Sequence, residues 1–121
     1  MSAYPLVYVE ISATDPANSA KFYADLFGWK IVVDPQMGYH QFTAEGGPGG
    51  GFPKADGKTT KAGDVIPYLA ADDIDAMLKK IVAHGGKVLQ PKTKIPGEGW
   101  YAWFADPSGN RMGLFARAAK S

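Results

Sequence analysis

Val7-Tyr8-Val9-Glu10-Ile11, an Asp15-Pro16 break, a helical stretch ending Phe22-Tyr23 and Leu26-Phe27, then Gly28-Trp29-Lys30-Ile31-Val32: the chain says this twice. The second statement runs Val65-Ile66-Pro67-Tyr68-Leu69, then Asp72-Asp73, a helical stretch through Met77, Leu78, Ile81 and Val82, then Gly86-Lys87-Val88-Leu89. The offset is 57 or 58 residues, according to how the helices are aligned. A lone strand–helix–strand unit cannot bury its own sheet face, so the duplication predicts two copies packed together. A ligand is then expected where the copies meet.

Working outward, Val7 to Ile11 is β-rich and predicts a strand. Asp15 fits an N-cap with Pro16 at the first helical position, and Gly28 fits the helix stop. Ala20, Tyr23 and Phe27, with Phe22 and Leu26, fall at helical spacing and predict one buried face. Trp29 to Val33 and Tyr39 to Ala44 predict two further strands. The glycine tract from Gly46 to Gly51 predicts a flexible strand edge, and 54–64 a linker. In the second copy, strands are expected over Val65–Ala70, Lys87–Gln90, Trp100–Phe104 and Met112–Ala116. A helix is expected from about Ile74 to His84, with His84 at its cap or on the surface, and 91–99 is expected as a loop. The pattern is βαβββ–βαβββ, an α+β arrangement in one domain, with module 1 over about 5–53 and module 2 over about 65–117.

The composition is that of an ordinary globular domain: 121 residues, 45% apolar, net charge +1. The absence of cysteine excludes disulfides and cysteine-ligated metal. No apolar run nears the roughly 18 residues that cross a bilayer, and no secretion signal opens the chain, so a cytoplasmic soluble protein is expected. Residues 1–50 carry a net charge of −3 and residues 51–121 a net charge of +4. This asymmetry reads as a lysine-decorated surface rather than a nucleic-acid footprint.

The order of these elements, the Phe22-Tyr23…Leu26-Phe27-Gly28-Trp29 helix ending and above all Asp106-Pro107-Ser108-Gly109-Asn110-Arg111-Met112-Gly113-Leu114-Phe115 resemble the vicinal oxygen chelate superfamily. That superfamily includes glyoxalase I, bleomycin-resistance proteins and extradiol dioxygenases. Ile95-Pro96-Gly97-Glu98-Gly99 before an aromatic strand is similar to its glyoxalase-like branch. The resemblance runs from Val7 to Ala116. It implies tandem βαβββ modules in a half-closed eight-stranded barrel around a cleft, and a homodimer.

The resemblance also implies where a metal would be held, and there the chain departs from it. The ligand positions fall on Tyr8, Ile66, Gly113 and the Gly49–Phe52 stretch. An aliphatic side chain and a glycine hydrogen coordinate nothing, and one phenol does not make a site. No metal and no cofactor is therefore expected.

Strand alternation supplies the candidate site. If Tyr8 faces the cleft so does Glu10, if Ile66 then Tyr68, and if Gly113 then Arg111 and Phe115. Glu10 in an apolar strand needs a partner or water. It is open between an ion pair with Arg111 that fixes the halves in register and an acid–base role in a pocket walled by Tyr8, Tyr68, Trp100, Trp103 and Phe115. Trp100 and Trp103 differ by three in position, so one of them points inward. His40 is open between a half-exposed strand residue and a binding or catalytic one. Gly57-Lys58-Thr59 is not a phosphate loop, because Phe52 stands where its leading glycine belongs and no helix follows. No nucleophile elbow is present. Two functions remain: metal-free binding of a small aromatic or amphipathic molecule, or a lyase or isomerase using Glu10 or His40.

Overall fold

The computed structural model describes residues 4–118. Two compact units divide the chain: Tyr8–Ile66, and the residues up to Val7 together with those from Pro67 onward. Their elements follow one another as β1 (Leu6–Ile11), α1 (Pro16–Phe27), β2 (Lys30–Val33), β3 (His40–Thr43), β4 (Gly49–Gly51), β5 (Val65–Ala70), α2 (Ile74–Ala83), β6 (Lys87–Ile95), β7 (Gly99–Ala105) and β8 (Arg111–Arg117). The duplicated βαβββ pattern is thus present, and the fold is α+β.

In the first unit the strands run in the order β2-β3-β4-β1. The β1–β4 pair is parallel, Tyr8 opposite Gly49 and Glu10 opposite Gly51. The glycine strand therefore lies between β3 and β1, not at an edge as its composition suggests. Glycine is required there by close approach: a Cβ at Gly50 would collide with the Val9 carbonyl and stand 2.5 Å from the Phe42 ring. Asp15 caps α1 by accepting the Asn18 N–H at 3.3 Å. Gly28 ends it at φ 74°, its N–H donating to the Ala24 carbonyl. Ala13, Ala20, Phe42 and Phe52 form the buried centre beneath α1, with Val9, Ile11, Tyr23, Trp29 and Ile31 packed on it. Trp29 stacks on Tyr23 and on Phe42, with centroids 4.8 and 4.3 Å apart.

The apolar face expected of α1 is wider than the one it buries. Ala20 is buried and Tyr23 half-buried, whereas Phe22, Leu26 and Phe27 remain 53–62% exposed. Positions 22 and 26 lie on a different flank of the helix from 20 and 23, beyond the side that meets the four strands.

In the second unit the order is β5-β8-β7-β6, with β5 parallel to β8. Asp73 caps α2, accepting the Ala76 N–H at 3.0 Å, and His84 closes it with Nδ1 2.7 Å from the Lys80 carbonyl. Ile74 and Leu78 pack on Ala102, Phe104, Leu114 and Ala116. The segment 91–99 is not the loop expected. β6 continues through Pro91 to Ile95, and its register with β7 shifts at Val88/Gln90 and again at Gln90/Thr93. A proline lacking an N–H is tolerated on this outermost strand of the unit, where irregular pairing takes up the mismatch. Between the modules, 54–64 is also more ordered than a linker. Ala13 pairs with Lys54, and the Asp56 carboxylate accepts the N–H groups of Lys58, Thr59 and Thr60.

Candidate functional site

Each unit has one sheet face covered by its helix and one turned away from it. In the first unit Val9, Ile11, Ile31, Phe42 and Phe52 take the helix face. Alternation and register then place Tyr8, Glu10, Val32, Gln41 and Thr43 on the other. On that face the Tyr8 and Tyr39 hydroxyls share a hydrogen bond of 3.1 Å, and the Gln41 Nε2 donates to the Tyr8 hydroxyl at 3.5 Å. The Tyr39 phenol lies over Gly51, where an added Cβ would strike its hydroxyl. A pocket of about 290 Å³ opens beside this network, and Tyr8, Val32, Gln41, Phe42, Thr43, Gly49 and Gly50 line it.

The second unit repeats the arrangement with other residues. Leu69, Ala102, Phe104, Met112, Leu114 and Ala116 belong to the helix-side core. Tyr68, Gly113 and Trp103 form one row across β5, β8 and β7 on the opposite face, and Phe115 and Tyr101 form the next. The Trp103 Nε1 donates to the Tyr68 hydroxyl at 2.7 Å. The Arg111 guanidinium stands 4.9 Å from the centre of the Trp103 ring, where the ring quadrupole attracts a cation, and Tyr101 meets that ring edge-on. Tyr68 is buried, its ring lying against Gly113 so closely that a Cβ there would strike it.

The structure therefore gathers Tyr68, Trp103, Arg111 and Phe115 on one face, and Tyr8 and Glu10 on the corresponding face of the other unit. Two candidates lie elsewhere. Trp100 packs against the helix-side core of the second unit, with the Lys92 ammonium 4.7 Å and the Lys94 ammonium 5.8 Å from its ring. It is Trp103, of the pair, that faces away from α2. His40 shares its parity with Phe42 and so belongs to the helix side of β3, where its Nδ1 is buried without a hydrogen-bond partner among the described residues. Tyr39 and Gln41 join the Tyr8 network although the sequence did not single them out. Their signal was alternation about Phe42, the core residue of the same strand.

The donor set does not fit the metal that the sequence resemblance implies. Ile66 is buried hydrocarbon, and the positions of Gly51 and Gly113 are covered by the rings of Tyr39 and Tyr68. Phenols stand where nitrogen or carboxylate ligands would be needed. Among the described residues no three His, Asp or Glu side chains are grouped to hold an ion. No described helix is long and apolar enough to cross a membrane.

Comparison with known proteins agrees with this fold. The chain is 32% identical over 123 residues to CFP32 of Mycobacterium bovis, named as a presumptive glyoxylase, covering 89% of this chain and 44% of that protein. It is 32% identical over 135 residues to the anthracycline biosynthesis protein DnrV of Streptomyces peucetius, covering 91% of this chain and 46% of that one. The chain thus spans about half the length of these curated relatives. The crystal structure of methylmalonyl-CoA epimerase from Mycobacterium tuberculosis matches with a TM-score of 0.72 at 16% identity, covering 94% of this chain and 88% of that one, a likeness of fold. The family model described as the glyoxalase/bleomycin resistance protein/dioxygenase superfamily matches residues 6–114, and to that superfamily the chain belongs.

Proposed function

We propose that this chain binds a small aromatic or amphipathic molecule, without the divalent ion used elsewhere in its superfamily. The observation that carries the reading is the replacement of ligand side chains by phenols: Tyr39 over Gly51 and Tyr68 over Gly113. The same substitution that removes donors supplies aromatic rings whose hydroxyls are held by Tyr8 and by Trp103, a mixed apolar and polar environment that suits a ring bearing polar groups. A relative named for anthracycline biosynthesis supports that ligand class. The test is a titration of the ¹⁵N-labelled chain with single-ring aromatic compounds, with and without excess Zn²⁺. Saturable shifts indifferent to zinc are expected. Binding that appears only with zinc, or stoichiometric zinc uptake, would sink the proposal.

A second reading is favoured by the relative named as a glyoxylase and by Glu10, which shares its face with Tyr8. Glu10 would act as a general base on a carbon acid, as in a lyase or isomerase of this superfamily. Proton–deuterium exchange of a 2-oxo compound in D₂O is the assay. Exchange unchanged in Glu10→Gln would remove this residue from any such chemistry.

A further inference from the structure

The pocket of the first unit has a polarity of its own. Val32 and Phe42 are its apolar lining residues beside the Gly49-Gly50 backbone, and none of the residues lining it carries a carboxylate, an ammonium or a guanidinium. Its polar lining side chains are those of Thr43, Tyr8 and Gln41. Such a lining offers a charged guest no counter-charge. A volume of about 290 Å³ sits at the lower end for small-molecule sites and suits one ring with one substituent.

The Gln41 carboxamide is half-buried, and among the described residues its one hydrogen bond is the 3.5 Å contact to Tyr8. That bond uses a single N–H. The second N–H and the amide oxygen, a donor and an acceptor side by side, are left over. Tyr8 is itself tied to Tyr39, whose ring is fixed against Gly51, so the amide is held by a braced neighbour. A group that offers an acceptor and a donor at the same spacing meets both leftover positions at once; a primary carboxamide or a cyclic amide does so.

We infer that this pocket recognises a neutral, single-ring carboxamide or lactam, with Gln41 as the residue that reads the amide. This rests on the small-molecule reading above and adds the ligand class and the reader. Benzamide, acetophenone and benzoate share a ring and a carbonyl carbon but differ in the group that Gln41 would meet: acceptor plus donor, acceptor alone, and a charged acceptor pair. Titrations of the full ¹⁵N-labelled chain with each, followed at the Val32, Thr43 and Gly49 amides, should show benzamide binding about five- to tenfold more tightly than acetophenone, the worth of one added hydrogen bond. Benzoate should bind more weakly still.

Gln41→Leu removes both polar atoms, and Gln41→Glu keeps the shape while removing the donor. In Gln41→Leu both compounds should weaken and the preference for benzamide over acetophenone should vanish, whereas in Gln41→Glu, which keeps an acceptor for the benzamide N–H but no donor for a carbonyl, acetophenone should weaken more than benzamide. The wild-type comparison stands even if neither variant folds. Equal affinities for benzamide and acetophenone in the wild type would overturn the inference while leaving the binding proposal intact. So would a preference that survives in Gln41→Leu, or shifts confined to residues such as Tyr68 and Trp103. No shift at any amide with all three compounds at millimolar concentration would overturn both.

Discussion

At the scale of single residues, glycine decides this site more than any functional group. Gly50, Gly51 and Gly113 are all places where a methyl group has nowhere to go, but for different reasons. Gly51 and Gly113 yield their space to the phenols of Tyr39 and Tyr68, on the faces turned from the helices. Gly50 yields its space to Val9 and Phe42, inside the core. Gly50→Ala should therefore cost about 3 kcal/mol, as overpacking against backbone cannot relax by a rotamer change. Gly47→Ala, with nothing within 4 Å of the added carbon, should shift stability by less than about 0.5 kcal/mol. Urea denaturation of the two variants checks the contrast, and equal losses would refute the packing argument. The sequence displayed this tract only as a run of glycine, which reads as flexibility, because the atoms that fill the missing side chains at Gly50 and Gly51 come from residues 8 to 41 positions away. For the same reason Ile66 and Gly113 were legible as non-ligands, a matter of chemistry, while Tyr39 and Gln41 were not legible as partners, a matter of three-dimensional register.

At the scale of elements, the helices were read almost to the residue because their ends are written locally. Asp15-Pro16 and Gly28 delimit α1, and Asp73 and His84 delimit α2, each by a contact within four positions. The β6 strand was missed past Gln90 because Pro91 signals a break locally, while pairing with β7, which the chain supplies later, overrides it. The Asp106–Asn110 turn between β7 and β8 is also local, and it has a charge dependence. The Asn110 N–H first, then its side-chain amide and the N–H groups of Ser108 and Gly109, stabilise the Asp106 carboxylate and lower its pKa from the ordinary 3.8. A carboxylate whose pKa is lowered on folding contributes stability that is complete above its unfolded value and is lost as pH falls through the folded one. The Tm difference between wild type and Asp106→Asn should hence be flat from neutral pH down to about pH 5 and shrink steadily below the ordinary carboxylate range. A difference that stays constant to pH 2 would show that the charge adds nothing to the turn. The same carboxylate fan recurs at Asp56, whose pKa is lowered chiefly by the Lys58 N–H and which orders part of a segment that composition alone marks as linker.

At the scale of the molecule, the duplication is complete in pattern but not in partition. Each unit owns a core: Phe42, Phe52 and Ala20 in one, Ile74, Leu78 and Leu114 in the other, with no residue shared. Yet the boundary between the units crosses β1 after Val7 and β5 after Ile66, within strands rather than in the 54–64 segment. The Ala70 N–H donates to the Pro5 carbonyl at 2.9 Å, so residues at the start of the first module pair inside the second unit. Covalent continuity then couples the units, because neither strand can lose its order in one unit without fraying in the other. Trp29, stacked between Tyr23 and Phe42, reports on the first core once Trp100 and Trp103 are changed to Phe. In that background Leu114→Ala, which empties a fully buried site in the second core, should destabilise the chain by about 3 kcal/mol. The Trp29 fluorescence transition in urea should move to lower concentration with it, by the same free energy read from far-ultraviolet circular dichroism. If the units were independent, Trp29 would report an unchanged midpoint while circular dichroism resolved two steps. Coincident transitions would mean that a βαβββ repeat is a unit of pattern and of packing here, but not a unit of stability.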